Sequence, residues 1–253
     1  MIVAVLQARA SSSRLPGKVL KPLLGRPMLA RQLERVARSA RIDKLLLATS
    51  DHASDQPVAD LAREAGVAAF RGSLDDVLDR FYQAVLPHRP DHVVRLTGDC
   101  PLSDPSLIDD IVAAHLEGGY DYTSNALEPT YPDGLDVEVF RFKCLEEAWR
   151  EAQLPSQREH VTPFINRQPS RYNIFHYKGE PDLSALRWTV DEPADFELVR
   201  TVYETLFPSN PRFPTRDILE LLEKRPELKD MNTLHRRNEG YVKSVEAEKK
   251  AKP

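Results

Sequence analysis

The stretch MIVAVLQARASSSRLPGK (residues 1–18) sets an apolar run, MIVAVL, directly before three cations and three serines. Consecutive apolar residues over this length read as a strand buried on both faces, the kind found in parallel sheets. The polar loop after it is not a Walker loop, because GxxxxGK[ST] is absent. Side-chain cations acting with loop amides and hydroxyls can also hold phosphates. Arg14 offers planar, bidentate recognition and Lys18 a mobile point charge, and Pro16-Gly17 can fix the turn between them. Ligands of open α/β sheets bind beyond the carboxyl ends of the strands, where this loop sits. The pattern therefore favours a polyphosphate site over an ordinary solvated loop.

Outward from that strand the first half of the chain alternates short apolar runs with helical patterns. IVAVLQA (2–8), KLLLATS (44–50), GVAAF (66–70) and HVVRLTG (92–98) read as buried strands. In 27–41, Leu29, Leu33, Val36 and Ala40 share one helical face; in 104–117, Ile108, Ile111, Val112 and His115 do. Asp104 suits an N-cap, Pro105 the first helical position, and Gly118-Gly119 the stop. This alternation predicts an α/β fold with a mainly parallel sheet flanked by helices. The second half reads differently. GLDVEVFRF (134–142) alternates as a half-exposed strand does; helices are expected at 143–152 and 157–167, and strands at 172–177 and 185–190. A further helix carries Phe196, Val199, Tyr203 and Leu206 on one stripe, and 209–216 reads as a loop. The organisation expected is a single domain over 1–235, with an insertion around 125–180 serving the acceptor or a dimer. Residues 236–253 are expected to form a charged, solvated helix or tail.

Composition narrows the function classes. The chain has 253 residues, 41% hydrophobic and 29% charged, and a formal charge of -4. Bulk nucleic-acid binding usually shows a basic surplus, so no nucleic acid is expected and any anion site must be local. The two cysteines, Cys100 and Cys144, make no metal spacing and no disulfide framework, which points to a reducing compartment. With no signal-like leader and no apolar stretch of membrane-spanning length, a cytoplasmic protein without a membrane partner is expected.

Two acids stand just past strand candidates. In RLTGDCPLSDP (95–105), Asp99 follows Gly98; a magnesium ligand and a turn aspartate ahead of Pro101 are equally good readings. In LRWTVDEPADFELV (186–199), Asp191 precedes a helix opened by Pro193, where acids are favoured in any case. Magnesium in phosphoryl-transfer sites is usually held by one or two carboxylates with substrate phosphates and water. Two strand-end aspartates facing a triphosphate loop would form such a set, and two adjacent carboxylates would raise the proton affinity of one.

QARASSSRLPGKVL, RGSLDDVLDRFY, RLTGDCPLSDPSLID, YPDGLDVEVF, REHVTPFI and RWTVDEPADFELV, in this order, resemble the cytidylyltransferase family of CMP-sugar-acid synthetases, most closely its spore coat polysaccharide branch. The likeness covers nearly the whole chain. It implies a nucleotide-diphospho-sugar transferase (Rossmann-like) fold, CTP as donor, a sugar acceptor, Mg²⁺ as cofactor and a homodimer. It implies that Arg14 and Lys18 contact the triphosphate, that Asp99 and Asp191 hold the metal, and that Gln7, Arg9 and Ser13 bind substrate. It sets Arg71, Gly72 and Ser73 near the base, although a plain turn before a helix at 74–86 fits them equally. Asp136, Glu138, Arg158 and His160 are implied to line the acceptor pocket; an outward strand residue for Glu138 and a packing residue for His160 are the plain alternatives. Two other functions stay open: a glycosyltransferase using a preformed nucleotide sugar, and a non-catalytic nucleotide-binding subunit.

Overall fold

Strand β1, Ile2–Gln7, runs through the middle of the sheet, and Val3–Leu6 are wholly buried. Its faces divide the core: Ala4 and Leu6 pack into one layer, Val3 and Val5 into the other. The structure, a computed structural model, describes residues 1–12, 14–233, 237 and 239–251, without the side chains of 243 and 251. Among these, seven strands form one sheet in the order β5-β4-β1-β6-β8-β7-β9. β4 (Lys44–Ser50) and β6 (His92–Thr97) flank β1 in parallel, with Gln7 opposite Ala48 and Thr97. β5 (Ala68–Gly72) continues the parallel half beyond β4. A two-residue hairpin, β2 (Pro22–Leu23) with β3 (Arg26–Pro27), precedes α1 (Met28–Val36). Helices α1, α2 (Gln56–Glu64) and α3 (Val77–Val85) then link the parallel strands in turn. α4 (Pro105–Glu117) follows β6; the Asp104 carboxylate caps it by accepting from Ser106 N at 2.9 Å.

The other half of the sheet comes from the second part of the chain: β7 (Tyr122–Ser124), β8 (Glu138–Arg141, antiparallel to β6 and β7) and β9 (Ile174–His176). α5 (Phe142–Glu151), α6 (Pro155–His160) and α7 (Pro163–Asn166) lie between β8 and β9. α8 (Pro193–Leu206), α9 (Thr215–Lys224) and α10 (Glu239–Ala251) complete the chain.

Several expectations from pattern shift. The strand expected at 66–70 lies at 68–72, so Arg71 and Gly72 belong to it. The 134–142 run is a strand only over Glu138–Arg141 and is buried, because β8 sits between β6 and β7 with helices over it. The helix expected at 157–167 is broken at Val161, which takes a positive φ of 69°. Residues 185–190 make no strand; Asp133 and Arg187 form an isolated bridge. Gly134 permits that bridge: at φ 108° a Cβ there would stand 2.4 Å from Thr189 N. The 209–216 loop ends at Pro214, where α9 begins. The charged C-terminal run is a helix docked on α6 rather than a solvated tail: Ser156 Oγ donates to Glu248 Oε2 at 2.6 Å, and His160 shares a hydrogen bond with Ser244 at 3.1 Å.

Candidate active site

The parallel strands end on one edge, and a cavity of about 910 Å³ opens there. Backbone pairing sets its floor. Gly98 N donates to Gln7 O at 2.7 Å, so the loops after β1 and β6 start in contact. Only glycine fits at 98, since a Cβ would meet Ala8 Cβ at 2.7 Å. Val190 N donates to Asp99 O at 2.8 Å, which ties the segment before α8 to the same edge. Asp99 and Asp191, 92 positions apart in the chain, are thereby neighbours.

Lys18 stands between them. Its Nζ donates to Asp191 Oδ1 and Val190 O at 2.8 Å each, and to Asp99 Oδ2 at 3.3 Å. Burial would raise the Asp99 pKa, but the Lys18 ammonium and a hydrogen bond from Thr97 hold it down at about 2. The same acids outweigh burial at Lys18 and raise its pKa. This corrects the expectation of a like-charge clash: a cation stands between the two carboxylates, and Asp99 is held ionised. Arg14 reaches the cluster from the loop, with Nη2 3.0 Å from Asp191 Oδ2 and Nη1 3.4 Å from both Glu192 and Glu239.

Beneath lies a second ionic layer. Arg187 is fixed by Asp195 at 2.9 Å, Asp133 at 3.0 Å and Asp191 at 3.2 Å. Asp195, fully buried, also accepts from the amides of Asp191 and Glu192 at 2.9 Å, which fixes the turn that presents Asp191. Arg237 pairs with Asp136, whose pKa burial nevertheless pushes up to about 7.

The donor set fits a hard divalent cation. Asp99 and Asp191 direct carboxylate oxygens to one point, now marked by the Lys18 nitrogen, and oxygen is the ligand that Mg²⁺ prefers. No group of three His, Cys, Asp or Glu is placed to complete a metal site among the described residues, so a triphosphate and water would supply the other ligands.

The structure brings most of the expected residues together. Arg14, Lys18, Asp99 and Asp191 line the cavity and meet in one ionic cluster. Gln7, Arg9, Asp136, Glu138 and His160 line it too, and Ser13 lies outside the described residues. Four expected residues are not brought to the cavity wall. Arg71 donates to Ser50 O at 3.1 Å and His52 O at 2.9 Å, so it braces the end of β4. Gly72 and Ser73 stand behind Arg80, whose Nη1 donates to Ser73 O at 2.6 Å and which itself lines the cavity. Arg158 is committed to Asp76 through Nε, 3.0 Å from both carboxylate oxygens. Glu138 is buried and faces inward, against its plain alternative as an outward strand residue, whereas His160 both lines the cavity and packs edge-on against Tyr241 at 5.0 Å, as its plain alternative has it.

Sequence reasoning passed over Arg80, Arg95, Thr162 and Arg187, all on the cavity wall; Asp133, which opens the DGLDVE part of the YPDGLDVEVF motif implied to line the acceptor pocket, is there too. For Arg95 and Arg187 a signal existed: each is a cation inside an otherwise apolar segment, HVVRLTG and LRWTV.

Comparison with known proteins agrees with this geometry. A cytidylyltransferase family model matches residues 3–236. The uncharacterized protein MJ1063 of Methanocaldococcus jannaschii is 38% identical over 92% of this chain and 94% of its own. The spore coat polysaccharide biosynthesis protein SpsF of Bacillus subtilis is 34% identical over 89% of this chain and 95% of its own. The solved structure of a cytidylyltransferase from Leptospira borgpetersenii superposes with a TM-score of 0.87 at 30% identity, covering 93% of this chain and 99% of that one. Its sheet, its strand-end cavity and these matches along nearly its whole length place the chain in the cytidylyltransferase family.

Proposed function

We propose that this protein transfers the cytidylyl group of CTP to a hydroxyl of a sugar acid, giving a CMP-sugar and pyrophosphate for surface polysaccharide synthesis. The observation that carries the reading is the convergence of Arg14, Lys18, Asp99 and Asp191 at one strand-end cavity. Pyrophosphate leaving from CTP needs cations at the leaving group and oxygen ligands for a divalent ion, and this set provides both. The sugar acid and the pathway rest on the resemblance to CMP-sugar-acid synthetases and to SpsF.

The side chains divide the work. Arg14 and Lys18 exchange their carboxylate partners for the β- and γ-phosphates and neutralise charge on the leaving pyrophosphate. Asp99 and Asp191 would hold Mg²⁺, which would supply further charge neutralisation at the phosphates. Asp195 and Arg187 keep Asp191 in place. His160, whose pKa burial lowers, is neutral at pH 7 and stands on the acceptor side able to take a proton from the attacking hydroxyl. Most of the acceleration then comes from orientation and fixed charge.

A homodimer and a cytoplasmic location complete the proposal. The first rests on the resemblance. The second rests on two buried, unbonded cysteines, and no helix among the described residues is long and apolar enough to cross a membrane. Light scattering tests the dimer. The activity is tested by pyrophosphate release with each of the four nucleoside triphosphates against a panel of 2-keto sugar acids and amino sugars. Pyrophosphate should appear with CTP, stop with chelator and return with Mg²⁺ or Mn²⁺. Equal turnover of UTP refutes cytosine selectivity, and silence across the panel refutes the transfer.

A further inference from the structure

Arg95 enters the cavity from inside β6, between the buried Val94 and Leu96. A cation there needs a reason, since it is largely withdrawn from water at 14% side-chain exposure. Its guanidinium is gripped on two sides. Nε donates to Gln7 Oε1 at 3.2 Å, and Nη1 donates to Glu138 Oε2. Glu138 is in turn held by the hydroxyls of Tyr122 and Thr162, both donating to Oε1. With three donors on its two oxygens, Glu138 is committed to the protein.

One edge of Arg95 is left. Nη2 has no protein partner among the described residues, although its two sister nitrogens are fixed. Arg9, which makes no ion pair among the described residues, and His160 face the same space. A pair kept only for stability would not leave a guanidinium edge open on a cavity, and buried pairs often contribute little to stability. A fork whose orientation is already fixed is suited to an anionic oxygen, because little freedom remains to be lost on binding.

We propose that Arg95 is the anion anchor of the acceptor site: its open Nη2 edge binds the carboxylate of the sugar acid, and Glu138 is the positioning residue that aims it. This rests on the cytidylyl-transfer reading given above and adds the residue that selects an acidic acceptor over a neutral one.

The test compares wild type with Arg95→Lys, Arg95→Gln, Glu138→Gln and the double variant R95Q/E138Q. The double variant removes both buried charges and keeps the experiment alive if a single change fails to fold. The probes are CTP alone, read by calorimetry, and a panel of 2-keto-3-deoxy sugar acids alongside their C1 amides, read by pyrophosphate release. Wild type should prefer acid to amide. In Arg95→Gln and the double variant the KM for the acid should rise about tenfold or more, and the acid-to-amide preference should collapse. CTP affinity should stay within about twofold of wild type. Arg95→Lys should recover part of the preference. Glu138→Gln should raise the KM for the acid with a smaller change in kcat. An unchanged acid preference in Arg95→Gln overturns the anchor, and so does a loss of CTP binding, which would assign Arg95 to the nucleotide. No pyrophosphate from any wild-type pairing overturns the transfer reading itself, a different outcome from an active enzyme indifferent to Arg95.

Discussion

Replacing Lys18 with methionine keeps the volume of the side chain and removes the ammonium between Asp99 and Asp191. The cost can be worked from one group. Asp99 is held at about 2 against an ordinary 3.8, with 27% of its side chain exposed. At about 1.4 kcal/mol per unit, that depression contributes about 2–3 kcal/mol to folding at neutral pH, part of it from the Thr97 hydrogen bond. The folded-state pKa lies below the unfolded one, so the contribution is complete above pH 4 and is lost as the pH falls toward 2. Lys18→Met should therefore destabilise the protein by about 2 kcal/mol at pH 7. The difference from wild type should shrink steadily between pH 4 and pH 2. Urea unfolding followed by circular dichroism at pH 7, 4 and 3 measures it. A cost that is the same at pH 7 and pH 3, or no cost at pH 7, refutes the claim that this ion pair holds Asp99 ionised. The same variant should lose about tenfold or more in CTP affinity, read by calorimetry.

Asp99→Asn and Asp191→Asn should each lower Mg²⁺-dependent turnover roughly a hundredfold or more and lower rather than raise the melting temperature, because Lys18 loses a partner. Wild-type turnover in both would remove the metal assignment. Arg187→Met removes the cation that Asp133, Asp191 and Asp195 share and leaves the fully buried Asp195 without an ion partner among the described residues, and chemical unfolding should show a loss of about 3–5 kcal/mol. Glu239→Gln frees Arg14 from one carboxylate competitor and should tighten CTP binding by about 1.5- to 5-fold in calorimetry at low salt; weaker binding would show that Glu239 supports the site instead.

The parallel half of the fold was legible because its strands are buried on both faces and leave continuous apolar runs, with α4 punctuated by Asp104, Pro105 and Gly118. The second half was harder for physical reasons. β8 carries Glu138 inside the sheet, and a buried charge satisfied by Arg95, Tyr122 and Thr162 looks the same in sequence as a solvent-facing one. The break at Val161 is a positive φ at a β-branched residue, which no residue type there announces. That Arg14, Lys18, Asp99 and Asp191 line one cavity was legible because each follows an apolar run, although the run before Asp191 makes no strand. Lys18 between the two acids was not, since its placement depends on Val190 pairing with Asp99. Arg71 and Arg158 were misplaced for the reverse reason: exposed-looking cations turned out to brace backbone and Asp76.

The central claim is that the α-phosphorus of CTP is attacked and pyrophosphate leaves. Phosphorus NMR of CTP, Mg²⁺ and a sugar-acid panel with the purified protein tests it most directly. The account predicts a pyrophosphate resonance that grows with twice the area of one phosphodiester resonance from a CMP-sugar, both abolished in Asp99→Asn. Inorganic phosphate appearing with CDP, or CTP left intact with every acceptor, would contradict it.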